Sequence, residues 1–292
     1  MKRIVGFIAG LLVVSLVWQC SQSREVSLRY IDAQDQSYML YMPVRDKKKL
    51  TAFMQILFAE DSFGYTILGS KPLSWVTYRR PLPLSSWAKF CDAFSTRNRT
   101  LRSGWKTWEK YQHLFPSTQL VIEHPKCHPD VTSILIINMD KFDAVVNENK
   151  VDFQEVLGRE ITSGLQLFNE ARGLSLINEV LEGHQALLGI VLGYGRDNSW
   201  QFHEGCKSHT AIGCVWGDEE NFMDEESFSS DLKTTDYYLL RYSCPSFAGD
   251  PDSDESQALK AEYLFARQTL VEYYREKDFL EATLSLLAGH NP

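Results

Sequence analysis

Four side chains that could bind zinc lie close together late in the chain. They are His203, Cys206, His209 and Cys214, spaced as H-x2-C-x2-H-x4-C. Imidazole nitrogen and thiolate sulfur are the ligands that Zn²⁺ prefers, and close spacing lets one short segment surround a tetrahedral ion. The pattern therefore predicts a zinc-binding module, although its spacing matches no common zinc finger or knuckle. The alternatives are a disulfide between the two cysteines, or two surface histidines beside a buried thiol.

Nucleophilic catalysis has no complete linear motif in this chain. There is no G-x-S-x-G elbow, and the S-x-x-K pattern of penicillin-recognising enzymes occurs three times without the companion S-D-N or K-T-G elements. His184 falls on the apolar stripe of a predicted helix, where a core histidine is the ordinary interpretation. An enzyme, for example a hydrolase, would need an active site assembled from separate loops, and that function stays an alternative.

The beginning of the chain has the pattern of a secretory signal. Lys2 and Arg3 precede an uncharged, largely apolar stretch at residues 4–18, after which the sequence turns polar. This stretch is shorter than the roughly 20 residues of a membrane-spanning helix. We therefore interpret residues 1–23 as a signal sequence that is cleaved after Ser23. The protein is expected to be exported to the periplasm, the cell envelope or the extracellular space.

A lipoprotein-type signal is an alternative interpretation of the same leader. It would end at Cys20, whose lipid would attach the protein to a membrane through its N-terminus. Leu16 lies four residues before Cys20, as this interpretation requires, but Gln19 stands where glycine, alanine or serine is usual. An uncleaved anchor, or a cytosolic protein with a buried first helix, would also fit the apolar stretch.

Composition predicts a folded, acidic protein. The chain has 44% hydrophobic and 12% aromatic residues, which is enough for a substantial core, and its formal net charge is −8. Loss of the leader would remove Lys2 and Arg3 and make the remainder more acidic. A dedicated nucleic-acid binder would carry a dominant basic face, so we exclude that class. Residues 24–292 are expected to form a single globular domain.

One segment, residues 79–110, combines positive charge with aromatic side chains. This basic aromatic segment contains eight basic and two acidic residues, interleaved with tryptophan and phenylalanine. Such a segment could contact anionic lipid headgroups or an acidic protein partner. The alternative is a solvated helix pair whose aromatic side chains face the core.

Hydrophobic periodicity predicts an α+β fold, in which an antiparallel or mixed sheet packs with several helices. Strands are indicated at residues 26–31, 37–44, 64–69, 120–123, 131–139 and 234–243. Helices are indicated near residues 50–61, 85–114, 153–168 and 174–191. A long C-terminal helix is predicted over residues 259–287, with Asp252 and Glu255 as a capping box at its start.

Residues 63–71 (FGYTILGSK) and 186–198 (ALLGIVLGYGRDN) resemble segments of uncharacterised exported proteins from chlamydia-like and other intracellular bacteria. The resemblance covers a small part of the chain. It implies a bacterial envelope context and brings no known activity or catalytic residue.

These features together predict an exported, envelope-associated protein that acts by binding and not by catalysis. The expected partner is a protein or a membrane surface, contacted through the basic aromatic segment or the C-terminal helix. The alternatives are an enzyme with a non-linear active site and the zinc module at residues 203–214. A cofactor, zinc, is expected only in the last of these.

Overall fold

The computed structural model of the protein describes residues 25–80, 95–115, 119–123, 130–172, 174–208, 213–214 and 245–290. Every strand pair within these ranges is antiparallel, and helices pack on both faces of the central sheet. The α+β prediction is therefore confirmed. No helix in the described ranges is both long enough and apolar enough to cross a membrane. The leader and the predicted strand at residues 234–243 lie outside them.

An N-terminal hairpin pairs β1 (Glu25–Ile31) with β2 (Ser37–Pro43). Burial alternates along both strands, so that Leu28 and Leu40 lie opposite each other and face the core. The turn is held by Asp32, whose carboxylate accepts hydrogen bonds from two backbone N–H groups of the turn. The structure confirms both predicted strands, although the second ends at Pro43 because Val44 begins the next helix.

The central sheet consists of β3 (Leu73–Arg79), β4 (Gln119–Glu123) and β5 (Val131–Ile137), with β5 in the middle. The side chains at residues 134–137 of β5 have no exposed surface. A strand with helices on both of its faces is expected to show such an unbroken apolar run. The two strands predicted at residues 120–123 and 131–139 are thus confirmed, except that the second ends at Ile137 because Asn138 caps the following helix.

Helices and short strands complete the described part of the chain. The helices before β4 are α1 (Val44–Asp61), α2 (Phe63–Ile67) and α3 (Thr96–Tyr111). Those after β5 are α4 (Met139–Glu148), α5 (Lys150–Leu157), α6 (Gly164–Glu170), α7 (Gln185–Val191), α8 (Arg196–Ser208), α9 (Asp254–Tyr274) and α10 (Phe279–Leu287). A 3₁₀ turn at Gln112–Leu114, a π-helical turn at Leu176–Val180, and the paired strands β6 (Gly213–Cys214) and β7 (Ala248–Gly249) lie between them.

An aromatic core fills the space between one face of the central sheet, the hairpin and the helices α1, α3, α9 and α10. The ring of Phe58 on α1 packs edge-on against the rings of Tyr274 and Phe279, with centroids 5.6 and 5.2 Å apart. Gly104 on α3 lets Phe53 of α1 approach closely, because a Cβ at that position would overlap the Phe53 side chain. The aromatic core comprises Phe53, Phe58, Phe63, Trp105, Trp108, Phe115, Tyr263, Tyr273, Tyr274 and Phe279 with their aliphatic neighbours.

An aliphatic core covers the opposite face of the sheet, where the helices α4 to α7 are short. Its members are mainly aliphatic, with three phenylalanines among them, and include Leu73, Leu135, Ile137, Phe142, Val146, Phe153, Leu157, Ile161, Leu167, Phe168, Ile177, Leu187 and Ile190. Alternation along the strands explains the division, since neighbouring residues of β3 and β5 point to opposite faces. Gly158 ends α5 with a φ of +62°, a left-handed conformation that glycine adopts at little cost.

The strand predicted at residues 64–69 is wrong, because this segment forms the short helix α2. Ser62 adopts a φ of 56°, ends α1 and redirects the chain into α2. Every residue of α2 is buried, so the segment has no polar face from which a helical period could be recognised. Position 64 favours glycine, because the Cβ of any larger residue would overlap the side chains of Leu270 and Phe58.

The predicted C-terminal helix is present as two helices. The long helix α9 ends at Tyr274, and α10 begins at Phe279. Between them Glu276 has a φ of 60°, and the Asp278 carboxylate caps α10 by accepting the N–H groups of its first turn. The apolar spacing continues across this break because both helices contribute to the aromatic core.

Candidate functional site

A cleft of about 520 Å³ opens between α4, the turn that joins α7 to α8, and the first half of α9. This volume lies within the range of roughly 300–1,000 Å³ that is usual for small-molecule sites. Its apolar wall is formed by Pro72, Ala144, Val145, Ile190, Leu259 and Tyr263. Its polar lining is formed by Ser70, Lys141, Glu148, Asn149, Arg196, Glu255 and Glu262.

Two local features of the chain shape the cleft. Asn138 caps α4 by accepting the N–H of Lys141 at 3.3 Å, so α4 starts directly after β5 and places Lys141 at its first turn. Gly193 and Gly195 have φ values of 80° and 85° and turn the chain sharply from α7 into α8. The Tyr263 hydroxyl donates to the carbonyl of Gly193 and fixes this turn against α9.

Lys141 is the partly buried cation of the cleft. Its ammonium donates to the carbonyls of Thr66, at 3.3 Å, and of Gly69. These carbonyls lie at the end of α2, where backbone oxygens lack helical partners. Burial lowers the pKa of Lys141 to about 8, although Asp140 and Glu262 act in the opposite direction. The Lys141 ammonium therefore satisfies two backbone carbonyls, and Lys141 also lines the cleft.

Arg196 lines the cleft, but its charge is met within the protein. Its guanidinium forms a two-pronged ion pair with the buried Asp152 of α5, at 2.6 and 2.8 Å. It also contacts the neighbouring Asp197 at 3.0 Å. These interactions, with the hydrogen bonds to Asp152 as the largest cause, raise the pKa of Arg196.

Glu255 is likewise engaged, and the predicted capping box is wrong. Its carboxylate accepts the N–H groups of Asp197 and Asn198 at 3.1 and 2.8 Å, so Glu255 caps α8 from the start of α9. Ser253 is the residue that caps α9, by accepting the N–H of Ser256 at 3.2 Å. A negative charge at the N-terminus of α8 is favourable because the N–H groups there are unpaired.

Glu148 and Glu262 are the charged lining residues that remain. Among the described residues, no hydrogen bond or ion pair within 4 Å engages either carboxylate, and both residues are exposed at the cleft. Lys141 is close enough to Glu262 for the two charges to interact. The cleft therefore presents two free carboxylates and one ammonium beside an apolar wall.

The structure places only one of the four predicted zinc ligands in full. His203 lies on α8, and its ring stands 4.1 Å from the ring of His184, which is the residue before α7. Burial lowers the pKa of both imidazoles, and His203 and Lys207 add to the effect on His184. Among the described residues, Nδ1 of the half-buried His184 has no hydrogen-bond partner, whereas the sequence predicts a satisfied core histidine.

The remaining predicted ligands cannot be assessed as a set. The side chains of Cys206, on α8, and Cys214, on β6, and the whole of His209 lie outside the described part of the chain. No group of three or more His, Cys, Asp or Glu side chains could hold a metal ion within the described part. Zinc binding at residues 203–214 thus stays a prediction, as does lipidation at Cys20, which also lies outside the described part.

The described half of the basic aromatic segment turns its rings inward. Trp105 and Trp108 on α3 are 8% and 1% exposed and belong to the aromatic core. Arg79 forms an ion pair with Asp130 at 2.6 Å. These tryptophans are therefore not available to a partner, whereas residues 81–94 of the segment lie outside the described residues.

Comparison of the chain with protein-family models, with curated proteins and with solved structures found no match. The free charges of the cleft come from α4 and α9, which are far apart in the sequence, and Lys141, Glu148 and Glu262 form no linear motif. The sequence pattern therefore does not predict any of these three residues as part of a site.

Proposed function

We propose that the protein is an exported binding protein that holds a small, ammonium-bearing molecule in the cleft. The observation that carries the proposal is the pair of free carboxylates, Glu148 and Glu262, on a cleft whose other acid is internally satisfied. Charged groups that lack protein partners at a concave surface are available to a ligand of opposite charge.

The balance of charge favours a cation over an anion. The lining contains three acidic and two basic residues. Arg196 forms an ion pair with Asp152, and the Glu255 carboxylate accepts hydrogen bonds from two backbone N–H groups. Two free carboxylates then face the single ammonium of Lys141, whose contacts are backbone carbonyls. An anionic ligand would meet a net negative surface, while an ammonium group would be attracted to it.

The apolar wall defines the rest of the ligand. Ala144, Val145 and Leu259, the apolar lining residues that are at least partly exposed, offer surface on which a short hydrocarbon or aromatic group can be removed from water. Binding of such a ligand needs no catalysis. The Lys141 ammonium, whose pKa is lowered to about 8 by burial, already donates its protons to two backbone carbonyls.

Calorimetric titration with two matched probes tests the proposal. Cadaverine and glutarate have the same chain length and opposite charges, and we expect only cadaverine to bind. Glu148→Gln and Glu262→Gln should each weaken cadaverine binding about tenfold, equivalent to about 1.4 kcal/mol. The control is Glu155→Gln, which removes an exposed carboxylate on α5 outside the cleft. Binding of glutarate in preference to cadaverine would refute the proposal.

Export and membrane attachment form a separate part of the proposal, supported by the leader at residues 1–23. Metabolic labelling with a radioactive fatty acid, combined with cell fractionation, can compare the wild-type protein with Cys20→Ala. A labelled envelope protein that loses its label in the variant would support a lipid anchor through the N-terminus. An unlabelled exported protein would support a cleaved signal, and an intact cytosolic chain would contradict export.

A hydrolase is the second candidate, favoured by two lining residues of the same cleft. Ser70 could act as a nucleophile, and a lysine with a pKa of about 8 is suited to accept its proton. It ranks second because, among the described residues, no hydrogen bond joins Ser70 to Lys141. Covalent labelling by a fluorophosphonate, lost in Ser70→Ala, would support hydrolysis over binding alone.

A further inference from the structure

The two outer edges of the hairpin differ in their hydrogen bonding. The edge of β1 is covered by α10, because the N–H of Arg29 donates to Glu281 at 3.0 Å and the N–H of Ile31 donates to Ser285 at 3.1 Å. These two N–H groups therefore point away from β2. The backbone groups that join the two strands must belong to the intervening residues, such as the pair Leu28 and Leu40.

The alternation leaves the outer edge of β2 open. Ser37, Met39 and Tyr41 lie opposite the outward-pointing residues of β1, so their own N–H and C=O groups face away from the hairpin. No backbone hydrogen bond reaches these groups from elsewhere in the described chain. The side chains of Met39 and Tyr41 are 49% and 65% exposed. An unpaired edge with exposed apolar side chains is a template for another strand.

We propose that this edge pairs with β2 of a second copy of the chain, in antiparallel orientation about a two-fold axis at Met39. Met39 then lies opposite Met39 of the second copy, and Ser37 lies opposite Tyr41. The strand (SYMLYMP) contains no charged residue, so no like charges meet along the ladder. A small side chain also faces a large one at both ends of the paired stretch.

Charge complementarity at the ends of β2 supports a second copy as the occupant. The turn before β2 carries Asp35, whose side chain is 84% exposed. The start of α1, directly after β2, carries Arg45 and Lys48, which are exposed and have no ion-pair partner among the described residues. Antiparallel pairing brings the acidic turn of each copy beside the basic helix start of the other. The two-fold symmetry produces this contact between opposite charges twice in the dimer.

The interface is small. Pro43 has no N–H and ends the row of available donors, so three residues of each copy supply the backbone ladder. An interface of this size belongs to the weak class, and we expect a dimer that forms reversibly at high protein concentration. This inference is independent of ligand binding in the cleft.

Disulfide trapping tests the pairing and its register in the full-length protein. In Met39→Cys the two new cysteines would lie opposite each other with Cα atoms about 5.5 Å apart, within the range of a disulfide. In Tyr41→Cys they would be offset along the strands by about 13 Å and could not be joined. Mild oxidation should therefore yield a covalent dimer for the first variant only. Wild type measures the background from native cysteines, and Val151→Cys on α5 controls for exposure.

A charge exchange supplies the second test, measured by sedimentation over a wide range of protein concentration. Asp35→Lys and Arg45→Glu should each raise the dimer dissociation constant about tenfold, since each change affects two symmetric contacts. The double variant should recover much of the lost affinity. Asp35 also contacts His290 in its own chain at 3.2 Å, so His290→Ala is the matched control.

Three results would overturn the inference. The first is a wild-type protein that stays monomeric at every concentration while Met39→Cys forms no more dimer than Val151→Cys. The second is cross-linking of Tyr41→Cys as efficient as that of Met39→Cys, which contradicts the register. The third is a peptide of another protein bound along β2 without any self-association.

Discussion

On one face of the central sheet, the aromatic core joins the long helices α1, α3 and α9 with the short helices α2 and α10 through contacts between rings, whereas on the other face the aliphatic core fills the space among the short helices α4 to α7. Helix α1 runs over Val44–Asp61, while α7 covers only Gln185–Val191. A short helix has as many unpaired terminal N–H and C=O groups as a long one. Short helices therefore carry more such backbone groups per residue, and these must be satisfied from outside the helix.

This difference explains where the polar residues gather. Lys141 donates to carbonyls at the end of α2, and Glu255 accepts N–H groups at the start of α8. The cleft lies at such helix ends between the two cores, with Ile190 of the aliphatic core and Tyr263 of the aromatic core in its lining. His184, which pairs with His203, directly precedes α7.

The largest expected effect comes from removing a ring from the aromatic core. Phe53→Ala should lower the free energy of unfolding by about 3–5 kcal/mol, because the fully buried ring leaves a cavity between α1 and α3. Phe265→Ala on α9 is the matched control, since its ring is 71% exposed. Urea unfolding measures both variants. A loss below about 1 kcal/mol for Phe53→Ala would mean that this side is not held by ring packing.

Substitutions at two glycines separate packing from backbone strain. Gly104→Ala should cost about 1–3 kcal/mol through overlap with Phe53, and the larger side chain of Gly104→Ser should cost more. Gly158→Ala should cost about 1 kcal/mol from its positive φ alone, because nothing lies within 4 Å of the added Cβ, and Gly158→Ser should cost no more than Gly158→Ala. The same increase from alanine to serine at both positions, measured by urea unfolding, would contradict the distinction.

The link between α8 and α9 should be weaker than either core. Glu255→Gln removes the charge that caps α8 and should lower the free energy of unfolding by about 1 kcal/mol. Amide hydrogen exchange at Asp197 and Asn198 should become faster in the same variant. If Glu155→Gln, which leaves the cap intact, produced equal changes, the assignment of Glu255 as the cap would fail.

A smaller effect is expected from pH. Burial lowers the pKa of His184 and His203 from the usual value of 6.5, so the folded protein binds fewer protons than the unfolded chain as the pH falls through that value. Unfolding then takes up protons, and the melting temperature should fall as the pH drops from about 7 to about 5. His203→Gln should flatten this slope. An unchanged slope would show that the histidine pair does not couple to folding.

Regular patterns make a large part of the fold predictable from sequence. Alternation predicts β1, because one face of this strand is buried and the other is more exposed, whereas β2 is apolar on both faces and does not alternate in sequence. Helix α2 is not predictable in this way, since burial on all sides removes the polar face that distinguishes helix from strand. The break between α9 and α10 is hidden for a related reason: both helices continue the same apolar stripe into one core.

The cleft is less predictable than the fold. Lys141 and Glu148 occupy ordinary polar positions of α4, and Glu262 reaches them only because tertiary packing lays α9 across the turn after α7. The spacing of Asp252 and Glu255 predicts a capping box at the start of α9, whereas Glu255 caps α8. Local spacing carries no information on contacts between distant segments. The residue types that most strongly indicate chemistry in the sequence, such as His203 and Cys206, lie outside the cleft lining.

The most direct test of the cleft compares choline with its uncharged carbon analogue dimethylbutanol, which has nearly the same shape. Calorimetric titration should show that the wild-type protein binds choline at least about tenfold more tightly, and that the double variant Glu148→Gln/Glu262→Gln loses this preference. Equal affinity of the wild type for both molecules, or an unchanged preference in the double variant, would contradict a cleft that recognises an ammonium group through its two free carboxylates.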